Sequence, residues 1–313
     1  MAAYIFKRAL IAVLTLLLIV LILFVLMAFL PGSPFNDERL TVEQIATLRA
    51  KYGLDQPLLA QFWSFVKNTF SGDFGVSYAI QKNVPISSLL SGRLPVSMRI
   101  GGQAILLGSL LGLVLGVIAA LKHNTVWDTF CTVLSVVGVS IPSYVFALGL
   151  SYLFGFKLKW FPILYQSALP FHSSVLATVA LSLFTMASIA RFTRTELLEV
   201  LSSDYILFAQ SRGIDGFRLI ARHALRNALI PVITVLAPLV VGLMTGSLVV
   251  ERIFSVPGVG QLLVEGIQAN DYSVVTALSF VYSLIYIAIM LGVDILYGVI
   301  DPRIRLAKGE VQP

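Results

Sequence analysis

The sequence predicts an all-α polytopic membrane protein of six transmembrane helices, with both termini on the cytoplasmic side. Three observations carry that expectation. Of 313 residues, 58% are hydrophobic and 12% are charged, whereas a soluble domain carries about 25% charged residues; mean hydropathy is +0.90. The apolar residues gather into runs at 9–30, 100–121, 129–155, 174–190, 229–250 and 274–300, lengths suited to about 30 Å of hydrocarbon. Basic residues segregate. With the N-terminus inside, Lys122, Arg191, Arg194, Arg212, Arg218, Arg222 and Arg226 join the terminal Lys7, Arg8, Arg303, Arg305 and Lys308 on one side. Only Lys157, Lys159 and Arg252 fall in short loops on the other, which is the positive-inside bias. The net charge of +6 therefore reports topology in a lipid bilayer and is no nucleic-acid footprint.

Residues 1–30 read as an N-terminal transmembrane helix. Lys7 and Arg8 precede the apolar run, but its length and the lack of a small-x-small site before Pro31 predict an uncleaved span. Residues 31–99 read as an extracytoplasmic loop subdomain opening with PGSP. A helical pattern follows at 41–52, then a turn at Gly53 and a second helical run at 58–70. That stretch is too small to stand as a free domain and is expected to cap the outer mouth.

Residues 100–300 form the expected five-helix core. Its first helix carries Ala104, Gly108, Gly112, Gly116 and Ala120 at every fourth position, a ridge that lets another helix approach closely, within the chain or across a subunit interface. In the next helix Pro142 interrupts GVSIPSY, removing a backbone hydrogen bond and leaving a carbonyl for Ser140, Ser143 or water. Such a break fits the border of a polar path or a structural kink alone. The fifth span repeats the small-residue device with Gly242 and Gly246 after Pro238. Asp294 is the single acidic residue expected inside a span. It suits a structural hydrogen bond or ion pair as well as a functional role, and one carboxylate is poor material for an ion relay. Residues 301–313 read as a cytoplasmic tail.

The most informative stretch is 191–231, RFTRTELLEVLSSDYILFAQSRGIDGFRLIARHALRNALIP, which holds the expected cytoplasmic segment 191–228. Two short helical patterns flank Gly213. Ser202, Ser203 and Asp204 can cap the first, and Gly213 stands where a left-handed residue ends a helix. Asp215 can cap the second, which runs through Arg218, Arg222 and Arg226 on one face. A short helix on a helical stem looks like a docking element; a solvated inter-helix loop fits the same pattern.

Chemistry inside the chain finds little support. The lone Cys131 permits no intrachain disulfide. Gly258 and Gly260 make an isolated G-x-G with no third glycine. There is no P-loop, metal-ligand cluster or Ser-His-Asp set, and His123, His172 and His223 share no spacing. The chain is expected to be non-catalytic and to bind no cofactor or metal, so that uphill transport would draw its energy from a partner.

These elements resemble the first permease subunit of bacterial oligopeptide and dipeptide ABC importers over essentially the full length. The matching segments are YIFKRAL, PGSP, KYGLDQPLLAQF, GDFGVS, RLPVS, IAALKHN, SIPSY, DYILFAQSRGI, RHALRNALIPV, FSVPGVGQLL, NDYSVV and VDILYGVIDPRIRL, in order. The resemblance implies a type I ABC importer-like core in the bacterial inner membrane. It carries the role of a coupling helix that docks on an ATPase to Asp204, Tyr205, Ala209, Gly213 and Asp215, with Arg222 and Arg226 on the supporting helix. Leu207-Phe208-Ala209 occupies the place where the broader signature has Glu-Ala-Ala, and Pro231 lies farther past Gly213 than in that signature. The implied assembly is a heterodimer with a second permease, plus two cytoplasmic ATPases that hold ATP and Mg. An extracytoplasmic binding protein would deliver peptide to the loops at 31–99 and 251–272. Relatives of this architecture also carry nickel, metal chelates or sugars. An ion-coupled secondary transporter would call for several intramembrane charges and internal repeats, and an intramembrane enzyme for paired catalytic groups at membrane depth.

Overall fold

The computed structural model describes residues 2–29 and 55–300. The pattern expected at 41–52, the Gly53 turn, the PGSP segment and the 301–313 tail lie outside the described residues. The helices are α1 (Ala2–Phe29), α2 (Leu58–Phe70), α3 (Ile86–Leu121), α4 (Val126–Ser140), α5 (Ser143–Leu150), α6 (Pro170–Leu201) and α7 (Asp204–Ser211). Then come α8 (Gly216–Leu219), α9 (Leu225–Met244), α10 (Leu248–Ile253), α11 (Val259–Gln268) and α12 (Tyr272–Ile300). A π-helical stretch, Ser151–Lys157, prolongs α5, and another, Ile220–Ala224, joins α8 to α9.

Among the described residues, five helical stretches are long and apolar enough to cross a membrane: Phe6–Leu26, Ile86–Leu121, Pro170–Leu201, Gly216–Ile253 and Tyr272–Val293. The sixth expected span is a broken pair, Val126–Ser140 and Ser143–Lys157, bent by 102°. The 15 residues of α4 reach only about 22 Å, so counting this span requires both limbs. Pro142 explains the break. It cannot donate into α4, and its carbonyl instead starts α5 by accepting the N–H groups of Val145 (3.0 Å) and Phe146 (3.2 Å).

The described residues divide into two compact units, those up to 96 with 257–295 and 97–256 with 296–300. In the first, Ile86, Leu89 and Leu90 pack with Val259, Leu262, Val274, Ala277 and Leu278. Those three residues belong to a helix that begins at Ile86, although the apolar run begins near 100. Exposed Ser87, Ser88 and Ser91 dilute its hydropathy, as does Arg93, which reaches Glu265 of α11 at 2.9 Å on the packed side, and Pro95 is accommodated inside it. A second cluster joins Leu16 and Val20 of α1 to Phe280 of α12. Asp271, fully buried, ties loop to helix. It accepts from the Ser77 hydroxyl (2.6 Å) and from the N–H groups of Tyr78 and Ala79 (3.0 Å each) and Ile80 (3.3 Å).

The second unit is organised around α6, against which α4, α5 and α9 pack. The glycine ridge of α3 lies along the same helix. A Cβ on Gly108 would stand 2.7 Å from the Ser182 carbonyl oxygen, and one on Gly112 would stand 2.6 Å from that of Met186. One on Gly116 would stand 2.6 Å from that of Ala190. The partners advance in step along both helices, so α3 and α6 run parallel and their C-terminal ends share one side. Here the small-residue ridge serves internal packing.

Candidate functional site

The connection after α6 folds as a short helix on a stem. Ser203 is the N-cap residue of α7, but its hydroxyl donates back to the Val200 carbonyl (2.5 Å), so the expected side-chain cap is absent. Asp204 follows at the first helical position, where its charge favours the positive end of the helix dipole. At the other end Gly213 takes φ +76°, its N–H bonding the Gln210 carbonyl at 2.9 Å. The Ile214 N–H bonds the Ala209 carbonyl at 3.1 Å. This pair of bonds is a Schellman closure with Gly213 at C′. Asp215 stands at the N-cap of α8 with extended backbone and no side-chain cap hydrogen bond. The cause is local: Gly216 itself has φ +56°.

Burial divides α7 into two faces. Ile206 and Ala209 face inward, into a cluster with Leu197 of α6, Leu219 of α8, Ala224, Ala228 of α9 and Ala120 of α3. Ala209, expected as a docking residue, is 7% exposed; it seats the helix and offers a partner no surface. Outward stand Tyr205, Leu207 (57% exposed) and Phe208 (62%), with Phe217 (84%) beside them in sequence space beyond the turn. The Arg212 guanidinium lies 5.2 Å from the Phe208 ring centroid. The Tyr205 hydroxyl accepts from the Asn227 amide at 2.9 Å, tying α7 to α9. Arg218, Arg222 and Arg226 are exposed, but the π stretch at Ile220–Ala224 interrupts the i, i+4 spacing expected to stack them on one face.

The remaining expected positions fall elsewhere. Pro142 and Ser143 form the start of α5 and Ser140 the end of α4. The hydrogen bonds accepted at the break come from backbone N–H groups, and Ser140 remains exposed. Gly242 meets nothing within 4 Å of its would-be Cβ, and Gly246 has φ +85° just past α9. Gly246 is therefore a turn glycine and not a ridge position, and among the described residues Gly242 packs against no other helix. Asp294 lies in α12, with its side chain outside the described residues.

Asp294 is also not alone as a helical carboxylate. Asp128 sits in the first turn of α4, 4% exposed, and Glu251 in α10, 3% exposed, accepts from the Ser97 hydroxyl at 2.6 Å. Asp128 is gripped by Arg194, Nε to Oδ1 at 2.6 Å and Nη2 to Oδ2 at 2.9 Å. The apolar run at 129–155 begins one residue after Asp128 and so passes it over. An acid in the first turn of a helix was the available signal.

The fold and this connection place the chain in one class. A family model of the binding-protein-dependent transport system inner membrane component matches residues 112–306. The corresponding N-terminal model matches residues 1–100. The chain belongs to this family of inner-membrane transport components. It is 42% identical over 306 residues to the dipeptide transport system permease protein DppB of Lactococcus lactis, covering 98% of this chain and 100% of that protein. To DppB of Bacillus subtilis it is 44% identical, covering 98% and 99%. To the oligopeptide transport system permease protein OppB of Escherichia coli it is 42% identical, covering 97% and 100%. Among solved structures it is similar in fold to the MetNI methionine ABC transporter in inward facing conformations, with TM-score 0.56 and 17% identity. That match covers 68% of this chain and 97% of the other.

Proposed function

We propose that this chain is the permease subunit of an ATP-driven importer of oligopeptides, forming half of the translocation pathway. The observation that carries the coupling reading is the outward surface of α7, where Leu207 and Phe208 stand exposed on a helix whose other face is firmly seated. Covering such a side chain gains about 1.5–3 kcal/mol, which favours an apolar cleft on a cytoplasmic ATPase as the occupant. ATP and Mg belong to two such ATPases, and this chain binds neither. A second permease completes the pathway, and an extracytoplasmic binding protein delivers the cargo. Both termini are cytoplasmic, in keeping with the positive-inside bias. Peptide cargo is supported by the names of the full-length relatives, and those named for dipeptides make dipeptide import the second reading.

The test is purification of the tagged chain from native membranes in mild detergent, with ATP hydrolysis followed in the eluate. A co-eluting ATPase stimulated by peptide-loaded binding protein is the expected result. Uptake of labelled dipeptide against longer peptide then separates the two cargo readings. A chain that elutes alone, or with a partner that hydrolyses no ATP, would overturn the proposal.

A further inference from the structure

We propose that the Asp128–Arg194 pair is a positioning device for energy coupling, locking α4 to the stem of α7 so that a push on α7 reaches the bent third span as one rigid movement. This rests on the coupling reading above and adds to it two residues that lie outside α7.

The pair is directional. Arg194 meets both carboxylate oxygens with two different nitrogens, a fork that fixes angle as well as distance. The carboxylate is further held by the Asn124 N–H (3.0 Å) and the Thr132 hydroxyl (3.3 Å), with His123 Nδ1 at 3.0 Å. Its position links three elements. Arg194 lies one turn before Leu197, fully buried, through which α6 enters the cluster that seats Ile206 and Ala209. Ala120, at the end of α3, joins the same cluster just before the turn that carries His123 and Asn124.

A second attachment makes α4 and α6 move together. A Cβ on Gly138 would stand 2.8 Å from that of Ala187, so the helices also touch ten residues farther along α4, about 15 Å away. A partly open hollow of about 50 Å³ beside the pair is lined by Leu115, Ala119, Cys131, Ser135, Ala190 and Arg194. At this end the ion pair adds a directional contact to the apolar packing of α4 on α6. Stability alone is a weak reason for a buried pair, since apolar residues of similar volume serve as well; fixing register is the better-attested use. Two contacts hold α4 up to Ser140, and the 102° bend follows immediately.

The experiment uses the complete transporter in proteoliposomes, with the binding protein and a labelled oligopeptide, measuring uptake and ATP hydrolysis on the same preparation. Arg194→Gln and Asp128→Asn are expected to keep hydrolysis within about twofold while uptake per ATP falls about tenfold. The exchanged pair, Asp128→Arg with Arg194→Asp, is expected to regain part of that ratio. An unchanged uptake per ATP in both single variants would overturn the proposal. So would a parallel loss of uptake and hydrolysis, or loss of the assembled complex in both variants without recovery in the exchanged pair, since either assigns the pair to folding alone. Phe208→Asp separates the underlying reading: retention of the ATPases by that variant would sink α7 docking whatever the pair does.

Discussion

Gly213 shows how one residue's backbone can matter where its side-chain space does not. Its φ of +76° lies in the left-handed region, yet nothing stands within 4 Å of a would-be Cβ. The cost of replacement is therefore conformational: about 1–2 kcal/mol for an ordinary L residue and more for a β-branched one. Gly213→Val is expected to uncouple transport from hydrolysis while the complex assembles, and Gly213→Asn, which tolerates this region, to retain most transport. Uptake and hydrolysis measured side by side decide it; full transport by the valine variant would refute a requirement for the closed turn. This position was legible from the sequence, because the pattern of a short helix ending at glycine is local. Ala209 was not. Its inward orientation depends on Leu197 and Leu219 arriving from other helices, and no spacing within α7 distinguishes it from Leu207 or Phe208.

At the scale of elements, α3 packs closely along α6. A Cβ on Gly112 would meet the Met186 carbonyl oxygen at 2.6 Å and Ile189 Cβ at 2.8 Å. These are backbone and branched atoms that cannot swing aside. Gly112→Leu is expected to cost at least the 1–3 kcal/mol or so typical of overpacking, while Gly242→Leu, in open space, is expected to be mild. Thermal unfolding of both variants in detergent tests the contrast, and equal midpoints would refute it. The ridge at 104–120 was readable as a ridge, but its partner was not, since small residues every fourth position specify close approach without saying to what. Glycines in the fifth span read alike and proved different. Gly246 serves a turn past the end of α9, a distinction created by where Thr245 ends the helix.

For the whole molecule, the parallel course of α3 and α6 puts the turn at Lys122–Thr125 and the α7 connection on one side, where positive-inside bias places the cytoplasm. Exposed Ser202 and Ser167, at opposite ends of α6 and in the loop before it, make a direct probe because native Cys131 is buried. A membrane-impermeant maleimide is expected to label Ser202→Cys only in inside-out vesicles and Ser167→Cys only in intact spheroplasts. The reverse pattern would invert the topology.

The sequence by itself determined the class of molecule, the apolar runs, the breaking proline, the left-handed glycine and the family. Each is a property of composition or of residues within a few positions of one another. Tertiary structure decided which face of α7 stays open, that α3 extends back to Ile86 on an amphipathic turn, and that Gly242 packs against nothing among the described residues. It also decided that Asp128 meets Arg194 and that Asp271 meets the loop at Ser77–Ile80. The physical reason is the same in each case. A buried carboxylate is stable only where donors converge on it, and convergence across 66 or 194 residues of chain is set by how helices pack.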